Sequence, residues 1–95
     1  MISVIVMNVA DNVGNAIVDL KPLQTAIYEL DGKEHSVSCQ TEVPYGFKIA
    51  VRKIPKGEDV VKYAEPIGIA SRDINEGECV HVHNIMGKRG RGDLE

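Results

Sequence analysis

Residues 2–8, Ile-Ser-Val-Ile-Val-Met-Asn, are apolar at almost every position. A strand with one face in water would alternate, so this run predicts a strand buried on both faces. A turn at 11–14, built from Asp, Asn and Gly, leads to a short strand at 15–18 that Asp19 and Lys21-Pro22 end. Two strand-like runs, 25–30 and 33–41, flank Asp31-Gly32, a pair suited to a type I′ hairpin because both central residues need positive φ. Pro44-Tyr45-Gly46 then breaks the chain, and short β-rich runs follow at 47–52, 59–63, 67–71 and 79–85. No capped 3.6-residue apolar stripe is long enough to predict a helix of any length. The pattern leaves room for at most one or two short ones, around Ile54 or Ile74.

An internal repeat lies inside this pattern. Residues 50–60 align with 70–80 at an offset of 20, with Ala, Arg, Ile, Gly, Glu and Val matching at 50/70, 52/72, 54/74, 57/77, 58/78 and 60/80. Each copy reads as a strand, a buried Ile, a Gly-containing turn and a returning strand. Two copies of this length are too few for a solenoid. They predict a compact, pseudo-symmetric all-β domain over 1–86, followed by a flexible, basic, Gly-rich tail or linker over 87–95.

Composition narrows the partners. The 95 residues fit one domain, and with three Tyr, one Phe and no Trp the core must come from Val, Ile and Leu. A formal charge of −3 argues against nucleic-acid binding, which clustered Lys and Arg drive. The apolar N-terminus has no basic flank and is too short to span a bilayer, so the expectation is a soluble cytoplasmic protein without a membrane partner. Cys39 and Cys79 lack metal-site spacing and read as reduced, small core residues. The apolar first strand is compatible with a homo-oligomer.

The densest chemistry is His81-Val82-His83-Asn84. On a strand, residues two apart project to one face about 6.6 Å apart, so both imidazoles could meet one group while Val82 points to the core. Spacing alone leaves three readings open: exposed histidines on an edge strand, a contact to a polar ligand, and half of a metal shell. Lys48, Lys62 and Tyr63 form a looser set that could pair with a carboxylate, or simply be solvated. No general acid–base pair, phosphate loop or nucleophile motif is present in the sequence.

From residue 43 onward the chain resembles the small N-terminal module of altronate and galactarate dehydratases, which is related to the sulfolactate-cleaving lyases. Residues 44–51, 54–63, 66–70, 74–77, 80–84 and 89–94 carry the resemblance. It implies a SAF-type β-clip fold and an accessory role. The large catalytic dehydratase subunit would act on a sugar acid, removing water to give a 2-keto-3-deoxy product. It implies iron as the divalent metal in that partner and no cofactor in this chain. On this resemblance Lys48, Lys62, Tyr63, His81, His83 and Asn84 are expected to bind substrate, none of them as a catalytic residue. Two alternatives are a free-standing β-clip module that binds a carbohydrate or protein, and the small subunit of a sulfolactate-type lyase. Two departures stand out: Phe47 where the family commonly has His, and Tyr63-Ala64 where Tyr-Gly is usual.

Overall fold

The computed structural model of the chain describes residues 1–87. The expected tail, apart from Gly87, lies outside the described residues. Nine short strands are present: β1 (Val4–Ile5), β2 (Val13–Ala16), β3 (Thr25–Leu30), β4 (Lys33–Ser38), β5 (Lys48–Ala50), β6 (Asp59–Lys62), β7 (Glu65–Ala70), β8 (Cys79–Val80) and β9 (Ile85–Met86). The described chain is all-β, with no helix. Its sheets are antiparallel, in the orders β1-β2-β5-β8, β3-β4 and β6-β7-β9. Such an arrangement of small antiparallel sheets fits a β-clip domain.

The four-stranded sheet is the middle layer. Alternation along β5 sends Ile49, and Val51 just beyond it, into one core with Val4, Ala16, Leu20, Tyr28, Val43 and Cys79. Ala50 faces the other core, with Val13, Ile54, Val60, Ala70, Ile74 and Val80. A sheet buried on both faces can be held by very short strands, because each residue meets a core on one side or the other.

A pair of bridged turns fills each of these faces, and the repeat supplies the pair on the second core. Where a short helix was allowed, Ile54 and Ile74 instead face each other across an antiparallel bridge, each N–H donating to the other's C=O at 2.8 and 2.9 Å. Gly57 N–H donates to Ala70 O and Gly77 N–H to Ala50 O; Ala70 N–H and Ala50 N–H donate back to Glu58 O and Glu78 O. Leu20 and Val43 repeat this scheme bond for bond. They bridge reciprocally, Leu23 and Gly46 N–H donate to Cys39 and Ala16 O, and Cys39 and Ala16 N–H donate back to Gln24 and Phe47 O. All of these bonds are 2.8–2.9 Å long. Asp19 Oδ1 accepts from Tyr45 N–H and Asp73 Oδ1 from Lys56 N–H, at matching places in the two clips. One clip closes each face of the middle sheet.

Several strand expectations shift. The first run contributes only Val4–Ile5 to the ladder and sits at a sheet edge, with Val4 and Val6 inward and Met7 63% exposed, so it is not buried on both faces. The second strand is Val13–Ala16 and ends before Ile17 and Val18, which turn outward. The Asp31-Gly32 hairpin is as expected, with φ of 54° and 74°. The run 79–85 splits into β8 and β9 around a turn.

Each clip turn needs positive φ at its fourth residue: 85° at Gly46, 89° at Gly57, 92° at Gly77, but 72° at Leu23. Leu23 is 86% exposed, so its side chain returns little for this conformation. Leu23→Gly is therefore expected to raise stability in urea unfolding by about 1 kcal/mol. Gly57→Ala, with open space for a methyl, is expected to cost about 1 kcal/mol. Gly77→Ala is expected to cost more, because its methyl would run into the Ser38 carbonyl oxygen.

Candidate functional site

Residues 81–84 form a turn rather than strand. Its cause is Asn84, which is wholly buried. Asn84 Nδ2 donates to Cys79 O and its Oδ1 accepts from His81 N–H, both at 2.9 Å. The N–H groups of Asn84 and Ile85 donate to His81 O, and Ser71 N–H donates to Asn84 O. A side chain that supplies these bonds locally displaces the ladder. Two expectations are corrected by it. Asn84 clasps the turn from inside and presents no free polar atom to a ligand. Val82, expected to face the core, is 80% exposed at the apex.

His81 and His83 are both exposed, brought to the surface by the turn and not by strand alternation. The His81 ring rests on Phe47, with centroids 4.5 Å apart and planes tilted by 42°. Phe47 also packs against the first core, so it lies on that face of the sheet. Lys48, one residue on, lies on the opposite face, half-buried, with Asn15 and Val80 as its cross-strand neighbours.

Lys62 and Tyr63 stand elsewhere, at the tip of the β6–β7 hairpin. Tyr63 and Ala64 both have positive φ, 55° and 63°. This is the geometry that makes Gly usual at the second position. Here the buried Asp11 holds it: Oδ1 accepts from Ala64 N–H at 2.7 Å, and Oδ2 accepts from Met7 and Asn8 N–H at 3.2 and 3.1 Å. The Lys62 ammonium lies 4.9 Å from the Tyr63 ring centroid, a cation–π contact. Met7, Asn8 and Tyr63 line a cavity of about 250 Å³. The six expected residues thus occupy three places: the exposed imidazole turn with its buried clasp, the Lys48 face, and the hairpin tip.

The donor set does not fit a metal centre. Among the described residues, no group of three or more His, Cys, Asp or Glu is placed to hold an ion. Phe47 occupies the position beside His81 where a third imidazole would stand. His35 lies on β4, its ring stacked on Tyr28 with centroids 5.0 Å apart.

Three polar residues were not singled out by the sequence reading. Asp11 is one. Asn12 joins two elements, its Nδ2 donating to Asp59 O and its Oδ1 accepting from Val61 N–H. Asn15 lies within β2, and its Oδ1 is buried without a hydrogen-bond partner. Its signal was available: Asn is disfavoured inside a strand whose neighbours are small or apolar.

The model of the altronate/galactarate dehydratase SAF domain family matches residues 2–88. The altronate dehydratase of Escherichia coli is 42% identical over 79 residues, covering 78% of this chain and 14% of that protein. The (2R)-sulfolactate sulfo-lyase subunit alpha of Chromohalobacter salexigens is 45% identical over 47 residues, or 50% of each chain. The subunit of the same name from Paracoccus pantotrophus is 34% identical over 59 residues, covering 62% of this chain and 88% of that subunit. The chain thus spans a small fraction of the dehydratase and half of the Chromohalobacter subunit.

Two outcomes follow from the turn and its surroundings. Asn84→Ala is expected to cost about 1–3 kcal/mol and to speed hydrogen exchange at the His81 amide, its released donor. Burial pushes the Cys39 and Cys79 thiols up, with the Lys48 ammonium partly offsetting this at Cys79. At mildly alkaline pH, where an exposed thiol is partly thiolate, both are expected to react with Ellman's reagent more slowly in the native than in the unfolded chain, Cys39 slowest.

Proposed function

The chain belongs to the altronate/galactarate dehydratase SAF domain family, and from that premise we propose that it is the accessory module of a lyase acting on a sugar acid. The catalytic groups, and the iron the family resemblance implies, sit on a larger partner. The family match over residues 2–88 carries this reading. A stretch like this one is a small part of an altronate dehydratase and most of a subunit named alpha, which favours a module that works beside a larger catalytic body.

The chemistry to be assisted is elimination. The C–H bond at C2 breaks, its electrons form the C2–C3 double bond, and hydroxide leaves C3 with its bonding pair and a proton. The enol then tautomerises to the 2-keto acid. A base and a Lewis acid serve the two ends of this step. The contribution of this chain is binding and enclosure. The exposed turn offers two imidazoles, each able to donate and accept, to the hydroxyls of a polyhydroxy acid. Val82 between them is an apolar knob suited to seating on a partner. Lys48 or Lys62 supplies a mobile positive charge for a carboxylate.

The Paracoccus subunit supports a second reading, in which sulfite leaves C3 of sulfolactate and the module is unchanged. Release of sulfite from sulfolactate, against release of a keto acid from altronate or galactarate, separates the two.

The test is isolation of the full chain with its partner from the native source. The chain alone is expected to show no lyase activity, and the complex to show it. Replacing both His81 and His83 with Ala is expected to lower kcat/KM of the complex by about tenfold or more, equivalent to ~1.4 kcal/mol, while leaving assembly intact. Val82→Asp is expected to weaken assembly itself. Full activity in the double variant would remove the turn from the site.

A further inference from the structure

A second cavity, of about 60 Å³, lies at the margin of the first core. That is several times the ~10–15 Å³ that a single water needs, so it has room for a group of several atoms. Val6, Leu30 and Val51 give it apolar walls. Val9 and Arg52, which also line it, are exposed, so it opens to solvent beside them. The other polar lining is Tyr28 and Asp11. Tyr28 is only 9% exposed, and its hydroxyl makes no hydrogen bond to any described residue. A buried tyrosine hydroxyl ordinarily finds a partner. Arg52 is fixed from one end, its Nη2 donating to Val9 O at 3.1 Å and to Asp11 O at 2.7 Å. Its Nε and Nη1 groups have no acceptor among the described residues, and no carboxylate there forms an ion pair with it. The Asp11 carboxylate is already taken up by the Ala64, Met7 and Asn8 N–H groups.

From this cavity we infer that Tyr28 and Arg52 form a binding subsite for the carboxylate of a small acid, the guanidinium and the phenol O–H both donating to its oxygens. The guanidinium presents a fork of N–H groups that matches a carboxylate, and its two carbonyl contacts hold the fork in place before a ligand arrives. A water would satisfy the phenol and leave the guanidinium without a counter-ion, whereas a carboxylate answers both. The apolar walls suit the carbon that carries it. Burial and the Glu76 carboxylate push the Tyr28 hydroxyl up, against the Arg52 guanidinium, so the phenol keeps its proton to donate at neutral pH. The negative charges of Asp11 and Glu76 nearby favour a singly charged group over a dianion. None of the six residues expected to bind substrate lines this cavity, so the subsite is additional to the imidazole turn.

The test is side-chain NMR of the full chain titrated, at constant ionic strength, with acetate, acetamide (the same shape without the charge) and sulfate. Acetate is expected to shift the Arg52 Nε–H and Tyr28 ring resonances saturably, with acetamide and sulfate weaker by about tenfold or more. Tyr28→Phe removes only the unpaired hydroxyl and keeps a ring to stack on His35. It is expected to keep or raise Tm while weakening acetate by about tenfold. Arg52→Gln is expected to abolish the response. Galactarate serves as a fourth probe. Shifts at the same residues would identify the sugar acid as a source of the carboxylate, and shifts with acetate alone would identify a smaller acid; both uphold the subsite. No saturable shift with acetate, equal shifts with acetamide, or an undiminished response in Tyr28→Phe would overturn it. None of these results touches the proposed function, which the activity of the complex decides.

Discussion

The fold depends on a reciprocal exchange of backbone hydrogen bonds between paired turns. In each pair a buried apolar residue bridges its counterpart, Leu20 with Val43 or Ile54 with Ile74. The residue three further on, in positive φ, donates across to the strand that enters the partner turn. The backbone polar groups of a sharp reversal, which a short loop would leave to water, are satisfied inside the domain. This permits the turns to go inward. Each buried Ile or Leu at a bridge contributes about 1.5–3 kcal/mol of apolar burial, so the turns themselves become core.

The polar residues stand where this scheme ends. β5 has three residues, and both cores take side chains from it or its successor, Val51. Phe47 and Lys48, at its start, fall at the margins of opposite faces. His81 follows β8 immediately, opposite Phe47, and Asn84 must turn the chain back at once for Ile85 and Met86 to reach β7. The same shortness that lets two cores meet on one sheet thus places imidazole and ammonium on different sides of it. A ligand touching both must bend around the sheet end, or a partner must bring a second wall.

Half of this scheme was legible in the sequence. The second clip was readable because both copies kept Ile, Gly and Glu at an offset of 20. The first escaped because its halves are 23 residues apart and Leu23 stands where Gly was the marker. Hydrogen-bonding geometry was preserved there while side-chain identity was not. The Asp31-Gly32 hairpin was readable since local turn chemistry decides it. The turn at 81–84 was not, because a two-residue alternation of His suggests strand unless the fate of Asn84 is known. An Asn side chain that bonds its own neighbours looks the same, in one dimension, as one that awaits a ligand. The two cases are told apart by burial and partners: Asn84 is buried with both side-chain polar atoms bonded, and Asn15 Oδ1 is buried with no partner.

That contrast bears on the resemblance to both dehydratases and sulfo-lyases. The two eliminations differ at C3, where water or sulfite departs, and agree at C1 and C2. A module common to both is best suited to the part that does not change, and on the proposed reading the polar features here have that character. An ammonium can hold a hydroxy acid by its carboxylate without sensing what leaves from its tail. On that reading, discrimination between leaving groups belongs to the partner's side of the site. The absence of His at position 47 is consistent with that division of labour: Phe47 supports His81 by packing and adds no donor of its own.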